Sequence, residues 1–128
     1  MNAPGLFLLG ATHHTAPLAI RERLALAAAD VTQLGAELGR LPDLREFAVL
    51  NTCNRVEFYG VSAGASAAAQ VQAAFCARQR FDPAEFEKIS LNLHGREAVR
   101  HLIEVASGLD SQMLGETEVM VSSAQPLI

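Results

Sequence analysis

The sequence predicts an α+β fold: a four-stranded, mainly antiparallel sheet of the split βαβ, ferredoxin-like kind, covered by helices. Three observations carry this. Four short apolar or alternating runs have strand length and are bounded by polar or turn-forming residues. The segments between them read as helices, with Pro and Asp at positions suited to helix starts. The order strand, helices, strand, strand, helix, strand, helix is that of a split βαβ unit. At 128 residues the chain has room for one domain with its own core.

Each element has a local cause. Leu6-Phe7-Leu8-Leu9 is wholly apolar and predicts a buried strand. It ends in the polar stretch Gly10 to Thr15. Pro17 suits the first position of a helix, where its missing N–H is not needed, and that helix is expected over 17–29. Asp30 is the expected N-cap of a second helix over 31–41, which Pro42 closes. Strands follow over 47–52 and 55–61, then an Ala-rich helix over 67–80 and a helix start at Asp82-Pro83. In 89–93, Ile89, Leu91 and Leu93 alternate as one face of a strand. The last helix is expected over 96–114, with Val99, Leu102, Ile103, Ala106 and Met113 forming the stripe that faces the core. Asp110 would interrupt that stripe unless the helix bends at Gly108, Asp110 caps a new turn, or it is buried with a partner.

Composition narrows the function. Half the residues are apolar, and no run approaches a membrane span or a signal peptide, which predicts a cytoplasmic protein without membrane contact. A net charge of −4 argues against bulk electrostatic binding of nucleic acid but leaves recognition of one RNA end open. Cys53 and Cys76 are too few for a disulfide framework. No Gly-x-Gly-x-x-Gly turn and no phosphate-binding Gly-Lys loop occurs. His13, His14 and Cys53 have no recognised metal-ligand spacing, so no metal is expected.

Cys53 is the residue whose setting points most clearly to chemistry. It sits in Asn51-Thr52-Cys53-Asn54-Arg55, a polar stretch between two strands, where an inert core thiol is out of place. A thiol attacks as thiolate, and the nearby Arg55 cation favours that form. The plainer alternative is a free thiol at a strand end. His101 falls opposite the expected apolar stripe, beside Glu97 and Glu104, as either a functional or a solvated surface histidine. Glu116 and Glu118, two apart, read as a solvated helix start more readily than as an acid/base pair. Arg21-Glu22-Arg23 reads as an exposed helix face.

Taken together, three blocks of the sequence resemble the glutamyl-tRNA reductase family. They are Gly10-Ala-Thr-His-His-Thr-Ala-Pro17 with Arg21-Glu22, then Asn51-Thr-Cys-Asn-Arg-Val-Glu57, then His101 to Ser111 with Leu114-Gly-Glu116. The resemblance covers about residues 6–119 and implies a catalytic domain over 1–114. Residues 115–128 would start a connecting helix or form an altered tail. It implies that Cys53 is the nucleophile, taking glutamate from glutamyl-tRNA as a thioester, and that His101 assists. NADPH would then reduce the thioester to glutamate 1-semialdehyde for tetrapyrrole (porphyrin, haem) biosynthesis. Thr52, Asn54, Arg55, Ser111, Glu116, Thr117, Glu118 and Ser122 match positions that hold the glutamyl group. The resemblance places NADPH binding and homodimerisation in domains outside this chain, which would itself be monomeric and unable to reduce. The family has Gln where Glu118 stands and Gly-Gln where Val121-Ser122 stand, and Pro126 interrupts the helix expected there. A non-catalytic glutamate- or tRNA-binding or regulatory module, or a cysteine esterase, are the alternatives.

Overall fold

The computed structural model describes residues 5–52, 54–64 and 66–107, and the backbone of 117–123. The elements in chain order are β1 (Gly5–Thr12), α1 (Leu18–Leu24), α2 (Ala28–Leu38), β2 (Leu44–Thr52), β3 (Arg55–Ser62), α3 (Ala67–Gln79), α4 (Pro83–Ile89), β4 (Leu91–His94), α5 (Arg96–Ala106) and β5 (Thr117–Ser123). The strands form one antiparallel sheet in the order β4-β1-β3-β2-β5. The first four are arranged as expected: β1 and β2 flank β3, and β4 closes the far edge.

Strand alternation divides the side chains between two faces. Phe7, Leu9 and Ala11 of β1 join Val56 and Phe58 of β3 and Phe47 and Val49 of β2 in the main core. Helices α1 to α4 complete that core with Leu24, Leu34, Leu38, Phe75 and Phe86. The opposite face carries a smaller cluster of Leu8, Tyr59 and Ala98, with Leu6, Leu91 and Leu93 packed against it. β1 is apolar throughout because both of its faces are covered. Helices therefore cover both faces. Gly60 is required on the main face, since an added Cβ would run into the Phe7 ring.

Four expectations about elements are corrected. The first helix ends at Leu24, and the second starts at Ala28, so Asp30 lies in its first turn and not at its cap. Carbonyls at the end of α1 find a partner in the Gln79 side chain, whose Nε2 donates to Arg23 O (3.3 Å) and Ala25 O (3.0 Å). Ile89 ends α4 and packs on the main core instead of opening a strand. The stretch 117–123 is a strand and not the start of a connecting helix: Val119-Met120-Val121 pairs with the edge of β2, whose backbone groups would otherwise lack ladder partners.

The fourth correction concerns α5. It spans Arg96–Ala106, and Ser107 turns back so that its hydroxyl donates to Ile103 O at 2.8 Å. Residues 108–114, with Asp110, lie outside the described residues. Gly95, at φ 60°, sets the entry to α5, and its N–H donates to Leu6 O at 2.7 Å. The helix is rotated relative to the expected one. Ala98 and His101 face the sheet, whereas Val99, Leu102 and Ile103 are exposed, Ile103 by 61%. The sheet beneath supplies the reason: it presents a fully buried carboxylate, Glu57, which an aliphatic stripe would leave without this partner.

Candidate functional site

β2 and β3 are joined through residues 53 and 54 alone. Thr52 shapes this turn: its hydroxyl oxygen accepts the N–H groups of Asn54 (3.1 Å) and Arg55 (3.2 Å). Asn51 anchors the base of the turn to the helical side, its Nδ2 donating to Leu26 O at 2.9 Å. Cys53 lies outside the described residues, between Thr52 and Asn54 in the chain.

From the turn, β3 runs Arg55, Glu57, Tyr59 along the face that α5 covers. Glu57 is at the centre of a buried polar group. Arg55 Nη1 donates to its Oε2 at 3.2 Å, the Tyr59 hydroxyl donates to its Oε1 at 2.8 Å, and His101 Nε2 lies 2.7 Å from Oε2. Arg55 is 5% exposed, Glu57 0% and His101 9%. Charge assistance makes such contacts the strong ones, and burial makes them costly to break. Gly10 opens the space for this strand: a Cβ there would fall 2.8 Å from Glu57 Cα and 2.9 Å from Glu57 Cγ. His101 is thus neither solvated nor paired along its own helix. Glu104 instead meets Arg100 at 3.8 Å.

On the other side of the turn, Arg21, Leu24, Ala11, Val56, Thr52 and Arg55 line a small cleft with a free volume of about 10 Å³. That is about the room that one water molecule needs. Arg21 holds its place by donating from Nε to Ala16 O (3.1 Å) and from Nη1 to Asn54 Oδ1 (3.4 Å). Two guanidiniums, Arg21 and Arg55, therefore line one cleft beside the Cys53 turn.

The expected site residues divide into three groups. Thr52, Asn54 and Arg55 come together at the turn. His101 reaches the same strand, through Glu57. Thr117 and Glu118 enter by backbone register, Thr117 opposite Thr52 and Glu118 opposite Asn51. Ser122 does not join them: it pairs with Phe47, five residues along an extended strand, about 17 Å from the turn. Cys53, Ser111 and Glu116 lie outside the described residues. Glu57, Tyr59 and Arg21 were not expected as site residues. For Glu57 a signal existed, a lone carboxylate inside the apolar run from Val56 to Tyr59. Arg21 stands in the first block of the family resemblance, but its place beside the turn depends on how α1 meets it.

Cys76 contrasts with that polar turn. It is buried in α3, and its thiol is pushed up to about 11 by burial and by the nearby Asp82 and Glu87 carboxylates. It is an unreactive thiol at neutral pH. Among the described residues no group of three His, Cys, Asp or Glu side chains could hold a metal ion.

The family model for the N-terminal domain of glutamyl-tRNA(Glu) reductase matches residues 9–122. Glutamyl-tRNA reductase from Syntrophus aciditrophicus is 39% identical over 120 residues, which is 91% of this chain and 28% of that protein. The one from Syntrophotalea carbinolica is 38% identical over 115 residues, covering 88% of this chain and 26% of that protein. The solved structure of glutamyl-tRNA reductase from Methanopyrus kandleri aligns with a TM-score of 0.58 at 30% identity, over 89% of this chain and 25% of its own. The chain thus spans about a quarter of the length of these relatives. A match over nearly the whole chain, on the same α+β fold, shows that it belongs to the glutamyl-tRNA reductase N-terminal domain family.

Proposed function

We propose that this domain forms the acyl-enzyme of a glutamyl-tRNA reductase. The Cys53 sulfur attacks the ester carbonyl of glutamyl-tRNA. A C–S bond forms, the C–O bond to the terminal ribose breaks, and the ribose oxygen leaves with a proton. His101 takes the thiol proton and returns it to that oxygen. Family membership and the buried His101–Glu57 contact on the strand that leaves the Cys53 turn support this reading. Thr52, Asn54, Arg55, Thr117 and Glu118, with Ser111 and Glu116, are proposed to hold the glutamyl group. Its side-chain carboxylate would meet the Arg21 and Arg55 guanidiniums at the mouth of the small cleft they line.

The cleft is small for a dinucleotide, and no glycine-rich strand-to-helix turn occurs among the described residues. No reduction step is therefore assigned to these residues. In the parent protein NADPH, held elsewhere, would supply the hydride that turns the thioester into glutamate 1-semialdehyde, toward tetrapyrroles. No helix among the described residues is long and apolar enough to cross a membrane, and a cytoplasmic setting is proposed. The test is to incubate the purified chain with glutamyl-tRNA and follow glutamate release. Slow release that disappears in Cys53→Ser supports the proposal. Release unchanged in that variant contradicts it.

A further inference from the structure

We infer that Glu57 is a positioning residue, fixing which nitrogen of His101 acts as the base. The inference rests on the reading that Cys53 is the nucleophile. Among the described residues the Glu57 carboxylate accepts from two donors, the Arg55 guanidinium on Oε2 and the Tyr59 hydroxyl on Oε1. The side chain is fully buried, so water does not compete. At 2.7 Å from Oε2, His101 Nε2 is held as a donor too. The neutral ring then carries its proton on Nε2, and Nδ1 is its basic nitrogen. When the thiol proton of Cys53 moves to Nδ1 as the sulfur attacks, the ring becomes an imidazolium beside a carboxylate already in contact. That proton next passes to the departing ribose oxygen, and the ring returns to its first tautomer. The arrangement follows the logic of a nucleophile, a base and a third group that orients the base. It also explains why a charged residue sits in the middle of an apolar strand, and why Gly10 leaves room opposite it.

The test uses the intact 128-residue chain and three measurements. Ring 15N NMR of His101 should show the proton on Nε2 in the wild type, and Glu57→Gln should weaken that preference. Cys53 alkylation by iodoacetamide, mapped by peptide mass, should slow about tenfold or more in both Glu57→Gln and His101→Asn. The double variant should be no slower than His101→Asn alone, because Glu57 acts through the histidine. Acylation of Cys53 by glutamyl-tRNA should follow the same order. Should Glu57→Gln not fold, the wild-type ring state decides. A proton on Nδ1 overturns the inference, as does a Glu57→Gln effect that persists in the His101→Asn background. If glutamyl-tRNA gives no adduct while the alkylation pattern and ring state hold, the acyl donor is wrongly assigned and the positioning role stands.

Discussion

His101 Nε2 lies 2.7 Å from Glu57 Oε2, in a contact that joins α5 to the strand leaving the Cys53 turn. Both side chains are buried, and the same carboxylate holds Arg55 and Tyr59. Removing the carboxylate leaves a buried guanidinium and imidazole without it. Glu57→Ala should therefore lower the stability of the chain by about 3–5 kcal/mol, read from urea unfolding monitored by circular dichroism. A loss under about 1 kcal/mol would mean that the network is solvated.

The orientation of α5 has its own check. Ile103 is 61% exposed, so Ile103→Glu should change stability by no more than about 0.5 kcal/mol. A loss of about 2 kcal/mol or more in the same unfolding measurement would place the Val99, Leu102 and Ile103 stripe in the core after all.

Cys76 should make stability fall at alkaline pH. Its thiol rises from 9.0 to about 11 on folding, so the folded state holds this proton more tightly than the unfolded chain. The contribution is present below pH 9 and is lost as pH rises through 11. The difference of about two units corresponds to roughly 2–3 kcal/mol. In Cys76→Ala the unfolding free energy should fall less steeply between pH 9 and 11 than in the wild type. Identical slopes would contradict the shift.

Arg21 should set substrate demand and leave thiol chemistry alone. In Arg21→Met the glutamyl-tRNA concentration for half-maximal acylation should rise about tenfold, with the maximal rate little changed. Iodoacetamide alkylation of Cys53 should stay within about twofold of the wild type. Unchanged substrate dependence would remove Arg21 from glutamate recognition.

The strand order was legible because it rests on local signals: wholly apolar β1, the polar break at Thr52 to Asn54, and Asp82-Pro83, where the Asp82 side chain accepts the Ala84 N–H at 2.9 Å. The turn that brings Thr52, Asn54 and Arg55 together was legible because they are neighbours in the chain. The rotation of α5 was not, because helical periodicity names the apolar face but not what lies beneath it. Here the sheet offers a carboxylate, and His101 answers it at the expense of burying Ile103. Arg21 escaped for the same reason, since it meets Asn54 across 33 residues of chain. β5 was missed because the resemblance pointed to a helix or an altered tail there, although Thr117, Val119 and Val121 are β-branched at alternate positions.

The central claim is that Cys53 takes the glutamyl group itself, and the most direct test is peptide mass mapping of the chain quenched in acid after mixing with glutamyl-tRNA. The account predicts one glutamyl adduct, on the Cys53 peptide, labile to hydroxylamine as a thioester is, and absent from Cys53→Ser. An unmodified Cys53 peptide, while the wild-type chain and Cys53→Ser deacylate the tRNA equally, would contradict it.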